Sequence, residues 1–177
     1  PLFGQERRLT LETFHSEMGA RSFGRGEVDR WDWIPGTSEL LRQGGPDRLQ
    51  RMDPEEGELR PVFDRADLAA AFERLAGFDA ERARRAVADS ELGLFAGGDR
   101  LLIEFEKDLY RYDLDRNHLR RLTDDAEAEE VWHVSPTDNL VAFVKRGDLF
   151  VSDIDGEEVK RLTRSGSDRL LNGKLDW

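Results

Sequence analysis

Two stretches of this chain repeat each other at a fixed spacing of 40 residues. Asp108-Leu-Tyr-Arg-Tyr-Asp-Leu-Asp115 runs on to Leu119-Arg-Arg-Leu-Thr123. Asp148-Leu-Phe-Val-Ser-Asp-Ile-Asp155 runs on to Val159-Lys-Arg-Leu-Thr163 with no gap between the registers. A weaker copy, Met52 to Arg60, lies 60 residues before the first of these. A unit this short cannot bury a hydrophobic face alone and must stack on its neighbours. A period of roughly 40–45 residues is that of a β-propeller blade, a small sheet of four antiparallel strands. The fold class expected is therefore all-β, a partial propeller of about three blades.

The local signals agree with four short strands per unit. Leu101 to Phe105, Leu140 to Val144 and Leu149 to Val151 are apolar, β-prone runs separated by Asp- and Gly-bearing turns. The last full unit is predicted to place strands at 131–135, 140–145, 148–153 and 158–163. The preceding one places them at 93–96, 101–105, 108–113 and 118–123. The expected organisation is a lead-in over 1–29, a blade over 30–63, an insertion over 64–90, blades over 92–125 and 131–164, and the start of another over 165–177. The insertion has a different period. Leu68, Phe72 and Leu75 recur at helical spacing behind Asp67, a predicted N-cap, and Gly77 ends the run. A second helix is expected over Asp79 to Ala88, so the insertion reads as a helical hairpin.

Charge and composition exclude several classes. The 38 acidic residues outnumber the 27 basic ones, for a net charge of −11. That disfavours nucleic acid and anionic membrane surfaces as partners, since both need a basic face. No apolar run is long enough for a membrane-spanning helix. Cysteine is absent, so disulfides and thiolate metal sites do not arise. With histidine only at His15, His118 and His133, no metal centre and no cofactor is expected. The chain begins at Pro1 and ends at Trp177. Three blades cannot close a ring of the usual four to about eight, so the expectation is a piece of a longer protein, with open blade edges that favour aggregation or marginal stability.

Several residues invite functional readings. Glu129-Glu130 and Glu157-Glu158 are adjacent acidic pairs and read as solvated surface charge. His133, on a predicted innermost strand, reads as a packing or inter-blade hydrogen-bonding residue, and His15 and His118 as surface residues. Asp113-x-Asp115 and Asp153-x-Asp155 lack the third ligand and glycine register of a calcium loop. Trp31, Trp33 and Trp132 read as blade-to-blade packing, and Trp177 as the start of the next element. Gly36-Thr37-Ser38-Glu39-Leu40 lacks the final glycine of a nucleophile elbow. No catalytic, substrate-binding or metal-ligating residue is assigned within the chain.

The order of features resembles the N-terminal propeller of the dipeptidyl peptidase IV branch of the prolyl oligopeptidase family. The resemblance rests on Trp33-Ile-Pro-Gly-Thr-Ser38, the helical hairpin after Pro61-Val-Phe63, and Leu101-Leu-Ile-Glu-Phe105 running into Asp108-Leu-Tyr110. It continues through Val134-Ser-Pro136, Leu140-Val-Ala-Phe-Val144 and Arg161-Leu-Thr163 to Asn172-Gly-Lys-Leu-Asp-Trp177. It implies a parent serine exopeptidase in which the propeller caps an α/β-hydrolase domain carrying the triad. Peptide substrates would be held by a glutamate pair expected just after Trp177, and an N-terminal dipeptide with proline or alanine second would be released. It also implies homodimerisation and an exported or periplasmic location. An arginine that some members carry on a hairpin of the second blade has no counterpart in Glu106-Lys107-Asp108, and Arg111 does not inherit its role. The alternatives are a non-enzymatic propeller scaffold and a related oligopeptidase.

Overall fold

The structure, a computed structural model, describes residues 30–44, 48–124, 126–167 and 169–174. The lead-in over 1–29 with His15, and Leu175 to Trp177 of the terminal motif, lie outside the described residues. The described chain forms three four-stranded antiparallel sheets, each a meander in sequence order. The first contains β1 (Arg30–Trp33), β2 (Leu40–Gln43), β3 (Leu49–Met52) and β4 (Leu59–Pro61). The second contains β5 (Glu91–Leu94), β6 (Arg100–Phe105), β7 (Asp108–Asp113) and β8 (His118–Arg121). The third contains β9 (Glu130–Val134), β10 (Leu140–Lys145), β11 (Asp148–Asp153) and β12 (Val159–Arg161). These are blades of a partial propeller, as the repeat requires.

The repeat is visible in the pairing itself. Tyr110 faces Arg121 and Tyr112 faces Leu119 in the second sheet, while Phe150 faces Arg161 and Ser152 faces Val159 in the third. The weak copy obeys the same rule, with Met52 opposite Leu59. The tight β6–β7 turn at Glu106 and Lys107 and the β10–β11 turn at Arg146 and Gly147 all need positive φ, between 50° and 80°. Glycine meets that requirement without cost only at 147.

The second sheet is buried on both faces because its side chains alternate. Leu101, Ile103, Tyr110 and Tyr112 share a core with Leu41, Leu49 and Val62 of the first blade. Leu102, Leu109, Leu122 and Phe95 share another with Val141 and Phe143 of the third. Contiguous apolar runs such as Leu101 to Ile103 are what a strand covered on both sides needs.

Two helices interrupt the series, α1 (Arg65–Glu73) and α2 (Ala80–Asp89). The cap of α1 is Asp64, not the expected Asp67. Its carboxylate accepts from the Ala66 and Asp67 N–H groups at 2.7 and 3.0 Å, so the helix starts a turn earlier and Asp67 joins its first turn, where negative charge is favourable. Asp79 caps α2, which begins and ends one residue later than the span expected from the sequence. The hairpin packs on the second blade. Leu68, Phe72, Ala83 and Val87 join the core of Phe105, Tyr110 and Leu119, and the Phe72 ring stands 5.4 Å from Tyr110 at 66°.

Candidate functional site: the wall of inner strands

The first strand of each blade converges on one concave surface. A cleft of about 560 Å³ is lined by β1, β5 and β9, through Arg30, Asp32, Trp33, Glu91, Gly93, Val131 and His133 among others. The second and third blades touch closely here. The Trp132 ring abuts Gly93, where an added Cβ would stand 2.7 Å from the ring, so glycine is required for the approach. The indole N–H donates to Glu104 at 2.9 Å, which ties the third blade to the second as its sequence suggests. Trp31 and Trp33 behave otherwise. They are 42% and 64% exposed, so blade-to-blade packing is not their role among the described residues.

The wall is acidic. Burial raises the Glu104 carboxyl above the usual carboxylate range, the Trp132 N–H opposes that shift, and the nearby Glu91 and Glu130 add to it. Asp32 pairs with Arg30 at 2.9 Å and accepts from Gln43 at 3.2 Å. His133 is exposed on this wall and has no hydrogen-bonding partner among the described residues. The packing or inter-blade role expected for it is therefore corrected. Its strand is innermost, and its side chain alternates outward while Trp132 and Val134 turn toward the second blade.

The two acidic pairs also part company. Glu157 and Glu158 are exposed, and Glu157 pairs with Arg120 at 3.0 Å. Glu129 is buried, with its carboxylate 3.3 Å from the Lys145 ammonium and accepting from the Thr123 hydroxyl at 2.9 Å. The expectation of a solvated Glu129-Glu130 pair therefore fails for Glu129. The cause is an irregularity in the β9–β10 register beside Val131, whose φ of +50° is unusual for a β-branched residue. Such a kink re-aims side chains, turning Glu129 inward and leaving Glu130 exposed beside Lys174. A one-residue offset of this kind leaves no mark in hydrophobic periodicity.

Other singled-out residues serve the scaffold. Asp155 is shared by Arg111 and Arg120, Asp113 accepts from Arg111 at 3.1 Å, and Asp153 accepts from the Glu157 N–H at 2.8 Å. Arg111 spans two blades through the Ile154 carbonyl at 3.0 Å. His118 is exposed, 3.7 Å from Asp113. Gly36 to Leu40 is a turn between strands, in which the Thr37 hydroxyl donates to the Ile34 carbonyl. Among the described residues no group of three or more His, Asp or Glu side chains is placed to hold a metal ion, and none of their helices is long and apolar enough to cross a membrane. The wall offers charge and shape, with no nucleophile beside a base.

Comparison with known proteins places this geometry. Residues 99–177 match the family model described as the dipeptidyl peptidase IV (DPP IV) N-terminal region. No curated protein matches the sequence. Among solved structures, dipeptidyl peptidase 4 of Porphyromonas gingivalis is 15% identical with a TM-score of 0.58, over 92% of this chain and 22% of that one. The tricorn protease is 14% identical with a TM-score of 0.44, over 73% of this chain and 12% of that one. A putative TolB from Agrobacterium tumefaciens is 16% identical with a TM-score of 0.47, over 79% of this chain and 50% of that one. The chain thus spans about a fifth of the length of the Porphyromonas protein, and at that identity the likeness is one of fold. Residues 99–177, on blades whose repeat extends back to residue 30, are thus similar to the N-terminal propeller region of the dipeptidyl peptidase IV family.

Proposed function

We propose that this chain supplies part of the N-terminal propeller of a serine dipeptidyl peptidase, which removes N-terminal dipeptides with proline or alanine second. The observation that carries the reading is the family match over 99–177, seated on four-stranded antiparallel blades. In this reading the propeller admits peptide substrates and helps to place the free amino terminus, and an α/β-hydrolase domain of the same protein performs the cleavage. The carboxylates of Asp32 and Glu91 on the inner wall suit that passage, because a peptide's terminal ammonium is drawn toward negative charge in a partly enclosed cleft. Charge-assisted hydrogen bonds to paired carboxylates would then fix its distance from the scissile bond.

The test uses the whole natural protein and the 177-residue chain side by side. The whole protein is expected to release p-nitroaniline from glycyl-prolyl-p-nitroanilide, to ignore the N-acetylated substrate, and to be inactivated by a fluorophosphonate. The 177-residue chain is expected to release none, since it holds no charge-relay residues. Turnover by the pure short chain, equal cleavage of the acetylated substrate, or an inert whole protein would each refute the proposal.

A further inference from the structure

The segment after β12 holds the one asparagine of this chain's three that is followed by glycine, Asn172-Gly173. In an unconstrained chain this dipeptide is chemically labile, and asparagine counts among the heat-labile residues for this reason. Glycine has no Cβ to screen its backbone nitrogen, so that nitrogen reaches the carbonyl carbon of the asparagine side chain. Here the fold requires both members. Gly173 has a φ of +83°, and a Cβ there would stand 2.9 Å from Val144 and 3.2 Å from Leu149. Asn172 supplies donors that an ionised acidic residue lacks. Its side-chain amide donates to the Asp148 carboxylate at 3.0 Å and to the Ser165 hydroxyl at 3.2 Å, and its backbone N–H donates to the Gly147 carbonyl at 2.8 Å.

We propose that Asn172 is a deamidation site that its hydrogen bonds to Asp148 and Ser165 keep closed, and that its conversion to a carboxylate prevents those bonds from re-forming. The reaction needs no partner but water. The Gly173 nitrogen loses its proton to solvent base and bonds to Cγ of Asn172. The Cγ–Nδ2 bond then breaks, and ammonia leaves with a proton taken from solvent. Water opens the resulting five-membered imide to aspartate or isoaspartate. Ring closure turns the side chain and the backbone ahead of Gly173 together. The three hydrogen bonds on Asn172 oppose both motions, and groups held away from near-attack geometry react slowly. Asp148 gives the departing nitrogen no help. Its carboxyl is held at about 2, so at neutral pH it accepts from Nδ2 and has no proton to give. After conversion the new carboxylate would face Asp148, whose side chain is 1% exposed, and like charges in one such seat disfavour ionisation of both. The chain from Ser165 to Asn172, which reaches β11 through that carboxylate, then loses its hold.

The test follows Asn172 in the whole natural protein by peptide-mapping mass spectrometry, in mildly alkaline buffer with and without denaturant. Conversion should be at least about tenfold slower in the folded protein than in denaturant. Ser165→Ala, at an exposed residue, removes one of the two bonds to the amide and should speed conversion in the folded protein about threefold. Asp148→Asn leaves one acceptor oxygen for the donors of Arg161, Thr163, Gly166 and Asn172, and should speed it at least about tenfold. Asn117, exposed on the second blade, is the internal control, and its conversion should not change in Ser165→Ala. The product itself, made as Asn172→Asp, should exchange its amides over residues 163–174 faster than the native protein in hydrogen-exchange mass spectrometry. The proposal is overturned by equal conversion with and without denaturant, by a native rate in Ser165→Ala and Asp148→Asn, by Asn117 rising in step with Asn172 in Ser165→Ala, or by unchanged exchange in Asn172→Asp.

Discussion

At residue scale the most concentrated polar node is Asp148, at the start of β11. Its side chain is 1% exposed. Its carboxylate accepts from the Thr163 hydroxyl at 2.7 Å, the Gly166 N–H at 2.9 Å and the Asn172 amide at 3.0 Å, and pairs with Arg161. Burial alone would raise this carboxyl, but the Arg161, Thr163 and Gly166 hydrogen bonds outweigh it and hold the group at about 2, against an ordinary 3.8. A carboxyl depressed on folding contributes stability that is complete above its unfolded value. That stability is lost as pH falls through the folded one, because the unfolded chain binds the proton first. Urea unfolding of the 177-residue chain at about pH 5 and about pH 3 should therefore show a larger loss for the native protein than for Asp148→Asn. Equal losses would mean that the node does not titrate as its hydrogen bonds imply. The node also anchors the segment after β12, since the Asn172 N–H donates to the Gly147 carbonyl at 2.8 Å.

At the scale of elements, strands make a tighter assembly than their propensities suggest, because the inner strands meet through single residues. Gly93 and Trp132 are such a pair. Gly93→Ala puts a methyl group 2.7 Å from the indole, and overpacking of this kind costs about 1–3 kcal/mol. Trp132→Phe removes the clashing ring together with the Glu104 hydrogen bond. The double variant should be less destabilised than the sum of the singles, by about 1 kcal/mol or more in a denaturation cycle, since residues in contact do not add. Strict additivity would show that the ring and the glycine are not in contact. The strands themselves were legible: a period of 40 with matched hydrophobic positions places β6, β7, β10 and β11 within a residue of their expected bounds. Glu129 and His133 were misread because a backbone kink at Val131, not composition, decides which side each faces. Asp64 was passed over as the cap of α1 because Asp67 offers the same chemistry three residues on. Trp31 and Trp33 read as blade-to-blade packing because an aromatic residue on a strand carries no mark of whether its face is covered.

At the scale of the molecule, the blades behave as repeats that touch only their neighbours, so stability divides into blades and the interfaces between them. The two interfaces are tied by equivalent arginines, 60 residues apart. Arg51 of the first blade donates to the Gly98 carbonyl of the second at 2.8 Å, and Arg111 of the second donates to the Ile154 carbonyl of the third at 3.0 Å. Each also holds a carboxylate, Glu39 for Arg51 and Asp113 with Asp155 for Arg111. At the equivalent position the third blade has Val151. The second blade, enclosed by both neighbours and by the hairpin, should thus exchange its β6 and β7 amides most slowly. Arg111→Met removes the tie on one side only, and a lost charge-assisted hydrogen bond at a half-buried site costs about 1.5–3 kcal/mol. Hydrogen-exchange mass spectrometry should then show faster exchange over residues 140–161 with residues 40–61 unchanged, and Arg51→Met the mirror image. Because the Asp138 carboxylate still holds the Ala96 and Gly97 N–H groups at 2.8 and 2.7 Å, the third blade should loosen without detaching. Uniform acceleration across all three sheets in either variant would show that the blades unfold as one unit, and the nearest-neighbour account of this chain would fall.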